Sequence, residues 1–141
     1  MYLLDTNVIS ELRKVSLGTA DPRVIQWAQT VNSACLYLSS ISILELELGV
    51  LKMERKDPSQ GLALRRWLDL RVLPEFEGRI LAVDTLIAQR SARLHVPDPR
   101  SDRDAIIAAT ALVHGMTVVT RNVSDFRPTG VPYLNPWTGS P

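Results

Sequence analysis

Short apolar runs alternate with longer amphipathic stretches along the chain. The runs at 2–4, 35–38, 80–83, 116–119 and 131–134 are too short for helices, and several are rich in β-branched residues, so each predicts a strand. Helical patterns lie between them. Asp5 at the end of the first run predicts a cap for a helix over 8–14. Asp21-Pro22 sets an N-cap before a proline and opens a helix to about Val31. Ser42-Ile-Leu-Glu45 has the spacing of a capping box ahead of 46–53. Asp57-Pro58 opens a helix through Leu62, Leu64, Trp67 and Leu70 towards Pro74. Asp84-Thr85 caps a stretch that ends at Pro97, and a last helix is expected over 103–114, with Gly115 as its stop. Residues 96–103 are polar and read as a loop. Strands alternating with helices predict an α/β domain: a short parallel β-sheet flanked by α-helices. No repeat or interdomain linker breaks the pattern. A single domain is expected over 1–141, with about 128–141 an edge strand and C-terminal tail holding Pro128, Pro132, Pro136 and Pro141.

Composition narrows the class. The chain has 141 residues, enough for one domain with a full core and no staples. Sixteen basic against fifteen acidic side chains argue against a duplex-coating polycation and against an acidic disordered tail. A nucleic-acid substrate stays open, because local charge can differ from the sum. Cys35 has no partner for a disulfide, no apolar run reaches membrane-spanning length, and the first residues carry no basic leader, so a cytoplasmic protein is expected.

In open parallel sheets, ligands bind beyond the carboxyl ends of strands. The acids nearest those ends are therefore the candidates. Asp5 follows the first strand, where it can cap a helix and also point an oxygen into a cleft. Glu45 is either the third residue of the capping box or a carboxylate among Ile41, Ile43, Leu44 and Leu46 that needs a charge partner such as a cation. Gly49, one turn later, would leave open space beside it. Asp104 opens a helix rich in small residues, in a position the helix dipole favours for an anion; Asp102 is the expected cap there. After the fourth strand come Thr120, Arg121, Asn122 and Asp125, where Asn122 and Asp125 compete for one role. Capping accounts fully for Asp84. His95 and His114 lack the spacing of a zinc site. Cys35 reads as inert strand core, and Trp27 and Trp67 as core or interface. Scattered glycines disfavour a nucleotide-binding loop.

Five segments in order match one family. They are Leu3-Leu-Asp-Thr-Asn-Val-Ile-Ser-Glu11, Leu38-Ser-Ser-Ile-Ser-Ile-Leu-Glu-Leu-Glu-Leu-Gly49, Asp104-Ala-Ile-Ile-Ala-Ala-Thr-Ala111, Thr117-Val-Val-Thr-Arg-Asn-Val-Ser-Asp-Phe126 and Asn135-Pro-Trp137, with Gly78-Arg-Ile-Leu81 between the second and third. Nearly end to end, the chain resembles PIN-domain ribonucleases, in particular the VapC/FitB-like toxins of bacterial toxin–antitoxin pairs. The resemblance implies that Asp5, Glu45 and Asp104 occupy the family's three best-defined acidic positions. The fourth varies among members, and here falls on Asn122 or Asp125. Thr6 and Thr120 fall on hydroxyl positions lining the site.

The implied chemistry is Mg²⁺-dependent hydrolysis of RNA phosphodiesters, with Mn²⁺ a possible substitute. Converging carboxylates repel, and a hard divalent cation relieves the repulsion. Asp5 and Asp104 are the expected direct ligands, with Glu45 and Asp125 as direct or outer ones. The ion supplies an activated water, and a second ion could stabilise the leaving oxygen. Arg121 and Arg103 are candidate phosphate contacts, with Arg100 and Arg127 more remote ones. The implied partners are a small DNA-binding antitoxin of VapB/FitA type, an RNA substrate and a second copy of the chain. The competing reading is a non-catalytic module that binds such an antitoxin for operator regulation. An acid-cluster phosphohydrolase is disfavoured, because no lysine follows Lys56.

Overall fold

The computed structural model describes residues 1–138. Five parallel strands, β1 (Tyr2–Leu4), β2 (Leu36–Ser39), β3 (Ile80–Leu81), β4 (Thr117–Val119) and β5 (Tyr133–Leu134), form one sheet in the order β3-β2-β1-β4-β5. The expected parallel α/β fold is what the chain adopts. Strand β1 is central. The chain steps outward from it through β2 to β3 on one side, then returns to build β4 and β5 on the other. The reversal lies between β1 and β4, where the connections diverge and leave a crevice at the carboxyl ends.

Among the described residues eight α-helices surround the sheet: α1 (Thr6–Arg13), α2 (Pro22–Thr30), α3 (Ser40–Lys56), α4 (Pro58–Trp67), α5 (Leu73–Glu75), α6 (Thr85–Leu94), α7 (Asp102–His114) and α8 (Val123–Phe126). Alternation along β1 divides the core. Leu4 points into a cluster with Val8, Val24, Leu38, Val50 and Leu68, whereas Leu3 points into one with Ile107, Ala108, Val118 and Phe126. The alanines of α7 are fully buried, so this helix lies close to its neighbours. The hairpin of α3 and α4 is tighter still, because a Cβ on Gly61 would lie 2.4 Å from the Glu54 Cα.

Several local expectations are corrected. Ser39, not Ser42, caps α3: its Oγ accepts the Ile41 N–H at 3.1 Å. Ser42 is a buried interior residue of the helix, so the capping-box role for Glu45 is excluded. Ser101, not Asp102, caps α7, accepting from the Asp104 N–H at 3.4 Å, and Asp102 faces solvent beside His95. Cys35 belongs to a 3-10 turn (Ser33–Cys35) before β2 and is half-buried rather than strand core. The helix expected to run from Pro58 towards Pro74 is continuous only to Trp67. A π turn (Leu68–Val72) and α5 follow, and the turn buries Leu68 and Val72 together. The C-terminal tail is more ordered than expected: a 3-10 turn (Pro136–Thr138) sets Trp137 into the core. The part of the tail at 139–141 lies outside the described residues. Gly115, at φ 68°, stops α7 as expected, and Asp84 caps α6 by accepting the Ile87 N–H at 2.9 Å. Among the described residues no helix is long and apolar enough to cross a membrane.

Candidate active site

Asp5 sits where β1 becomes α1, at the crevice between β1 and β4. Its N–H donates to the Val119 carbonyl at 2.9 Å, which extends the ladder by one residue and fixes the corner. One carboxylate oxygen accepts the Thr6 N–H at 2.8 Å, the capping role. The other accepts the Thr120 hydroxyl at 2.8 Å and the Asn7 amide at 3.2 Å. Thr120 follows β4 and is fully buried, so two strand ends are tied through a single carboxylate. The Thr120 Oγ1 in turn accepts the Asn122 N–H at 2.9 Å, which holds the next loop against the same corner.

Glu45 reaches this corner from the second turn of α3. Its Oε1 accepts the Thr6 hydroxyl at 3.1 Å, and its Oε2 lies 3.7 Å from Arg103 Nη1. Asp104, in the first turn of α7, completes the group from the opposite side of the sheet. Asp5, Thr6, Glu45, Asp104, Arg121 and Asn122 line one open cleft of about 450 Å³. Three acids about a hundred residues apart at the extremes are thus gathered by the strand order. Asp125 stands in the first turn of α8, exposed, and acts on the cleft by its charge. Asn122 lines the cleft directly.

The electrostatics follow from burial and repulsion. Burial pushes the Asp104 carboxyl from 3.8 up to about 6, and the charges of Asp5, Asp125 and Glu45 add to the effect. Burial likewise raises Asp5. Hydrogen bonds from Thr120, Thr6 and Asn7 oppose the rise, and the Asp125 charge reinforces it. Glu45 is raised by burial and by Asp5, against the Thr6 hydrogen bond and the Arg103 charge. Each of the three acids sits where a negative charge is disfavoured, so a cation arriving in the cleft would be drawn in.

The donor set consists of carboxylate, hydroxyl and amide oxygens, which suits a hard divalent ion and not zinc. Among the described residues no three His, Cys, Asp or Glu side chains stand together as a ready-made metal cage. An open all-oxygen site fits Mg²⁺, which keeps much of its water and binds through one or two carboxylates.

The basic candidates separate. Arg121 lines the cleft, with its guanidinium 5.3 Å from the centre of the buried Trp137 ring. Arg103 is joined to Glu45. Arg100 instead donates to the Leu94 carbonyl, and Arg127 to the Tyr133 hydroxyl. Four cleft residues drew no separate notice in the sequence: Asn7, Ser10, Glu11 and Lys14. They fall at i, i+3, i+4 and i+7 along α1 and its C-cap, so a polar stripe at helical period starting beside Asp5 was the available signal. Glu11 is buried. It binds Lys14 Nζ at 3.2 Å and accepts the Asp21 N–H at 2.8 Å, which fastens the start of α2 to α1.

Comparison with known proteins places the chain in a family. The family model described as PIN domain matches residues 2–129. The chain is 36% identical to the VapC ribonuclease Y4jK of Sinorhizobium fredii, over 97% of this chain and 98% of that one. It is also 36% identical to the toxin FitB of Neisseria gonorrhoeae, over 97% and 99%. The solved structure of FitAB bound to an IR36 DNA fragment superposes with a TM-score of 0.87 at 34% identity, covering 97% of this chain and 96% of that one.

Proposed function

The chain belongs to the PIN domain family, and on that premise we propose that it is a metal-dependent endoribonuclease, the toxin of a toxin–antitoxin pair. One observation carries the reading. Asp5, Glu45 and Asp104 come from three different elements into one cleft, where all three are held above their ordinary pKa. A fold gains nothing in stability from gathering uncompensated carboxylates, so their convergence answers to a cation and its substrate.

Asp5 and Asp104 would hold a divalent ion, Mg²⁺ or in its place Mn²⁺, with Glu45 and Asp125 as direct or outer ligands. When bound, the ion supplies charge neutralisation and an activated water for phosphodiester hydrolysis. The chain's own groups prepare the ground. Thr120 and Asn7 orient one oxygen of Asp5, while the Thr6 N–H holds the other. The Thr6 hydroxyl orients Glu45, and Arg103 offsets part of its charge. Arg121, seated on Trp137, offers a guanidinium at the rim to a backbone phosphate. The open cleft favours single strands and loops of RNA, whose phosphates are exposed.

The relatives support the remaining parts of the proposal. The name FitB describes a toxin, and the FitAB structure is a complex on DNA. By that likeness this chain takes a small DNA-binding antitoxin that occludes the cleft and carries the pair to operator DNA, and it pairs with a second copy of itself. The experiment is cleavage of a structured RNA with Mg²⁺, with EDTA, and with Asp5→Asn. Activity is expected only in the first. Equal activity in all three overturns the proposal.

A further inference from the structure

The acidic cleft does not end at Glu45. Thr6, Ser10, Lys14 and Glu45 are shared with a second hollow of about 360 Å³ that continues along α3. This hollow passes over Gly49 and ends against Trp67. Arg13 stands at its side, with its guanidinium 5.8 Å from the centre of the Trp67 ring, and Lys14 is exposed at the junction of the two hollows.

Gly49 is the odd residue. It lies inside a seventeen-residue helix, where glycine is a poor choice. At Gly61 packing explains the absence of a side chain, because a Cβ would strike the backbone of Glu54. At Gly49 a Cβ would meet nothing within 4 Å, and the backbone is not in the left-handed region. Neither packing nor conformation asks for glycine there. What its absence of a side chain does is leave this part of the hollow's wall open.

We propose that the groove over Gly49, between Lys14, Arg13 and Trp67, is the subsite for the RNA strand on one side of the scissile phosphate, with room for an unstacked nucleotide. The inference rests on the ribonuclease reading and adds where the strand lies. A phosphate held at the acidic cleft belongs to a chain that must leave it, and this groove opens directly from it. Beyond Glu45 at the junction, the charged side chains of the groove are Lys14, which is exposed, and Arg13, which is half-buried, and its wall includes the aromatic Trp67, a combination suited to single-stranded nucleic acid without base pairing. Lys14 is placed for the neighbouring phosphate. Its partner Glu11 keeps it there and is itself pinned by the Asp21 N–H.

The test uses the full chain and a twelve-nucleotide single-stranded RNA with Mg²⁺. Gly49→Leu fills the groove with a good helix former, and Gly49→Ala adds only a methyl. Gly49→Leu is expected to raise KM at least tenfold with kcat within threefold, at a melting temperature no lower than that of the unaltered chain. Gly49→Ala is expected to raise KM less. A helix-propensity effect would instead move both variants alike. Lys14→Gln is expected to reduce the slope of log affinity against log salt by about 0.7. If the unaltered chain cleaves the RNA and folded Gly49→Leu has a KM within twofold of it, the subsite is overturned and the ribonuclease reading stands. If Gly49→Leu also escapes inhibition by the cognate partner protein, the groove belongs to that partner and not to RNA. If the unaltered chain cleaves no RNA, the ribonuclease reading fails and the subsite fails with it.

Discussion

Two glutamates of helix α3, two residues apart, lie in opposite electrostatic settings. Glu47 meets Arg65, with Nη1 at 2.9 Å and Nη2 at 2.5 Å, and that guanidinium also reaches Glu54 and Asp69. The bidentate pair holds the Glu47 carboxyl below its ordinary range. Glu45 faces the other way, towards Asp5, and is held above it. One cluster has its cation built into the chain. The other has four acids in the cleft wall, with Asp125 acting on it by charge; Glu11 is paired with Lys14, but Asp5 and Asp104 meet no basic side chain and Glu45 has only Arg103 at 3.7 Å. An acidic cluster closed by the chain's own cation serves the fold, and the one left short of positive charge is where the proposed function puts a cation from solution.

The sharpest break of this comparison is Asp104→Asn. RNA cleavage is expected to fall by a factor of about 10³ or more, as for loss of a group that acts as part of a unit. A loss under tenfold would remove Asp104 from the reaction. The next effect is on packing. Gly61→Ala drives a Cβ into the Glu54 backbone and is expected to destabilise by about 2 kcal/mol or more. Gly49→Ala is expected to stabilise by up to about 1 kcal/mol, since it meets nothing. Denaturant melts of both decide it, and equal effects would erase the distinction between the two glycines.

A smaller effect comes from pH. Asp104 has a raised pKa in the folded chain, so the folded state holds its proton more tightly than the unfolded one. That stabilisation is complete below 3.8 and is lost as pH rises through about 6. At pH 7 without metal, Asp104→Asn is therefore expected to be more stable than the unaltered chain by about 1 kcal/mol, after discounting for the group's exposure. The gap should close below pH 4, and Mg²⁺ should close it at pH 7. A gap that grows on acidification would have the wrong sign. The smallest effect belongs to the closed cluster: Arg65→Met is expected to change cleavage less than twofold, because Arg65 touches nothing in the cleft. A tenfold loss would tie the two clusters together.

Much of this was legible beforehand. Asp5 and Asp104 stand at a strand end and a helix start, and local pattern marks such places; Glu45, in the second turn of α3, was marked instead by its apolar neighbours. The cap at Asp84 and the stop at Gly115 were readable for the same reason. Ser42 was not. Its spacing to Glu45 imitates a capping box, and only the end of β2 at Ser39 shows that the helix starts earlier. Nor could Asn122 and Asp125 be separated by spacing. The loop places Asn122 in the cleft wall, while α8 turns Asp125 outward to act by charge.

By itself the sequence determined the α/β class and the central elements and put the acids forward as candidates, because period-2 and period-3.6 patterns and caps are local properties. The tertiary structure alone decided which charges are satisfied. Whether Glu45 or Glu47 gains a bidentate arginine depends on how α3 lies against α4 and α7, and whether a glycine is a contact or a gap depends on what packs above it. Long-range packing sets both, and no spacing along the chain encodes them.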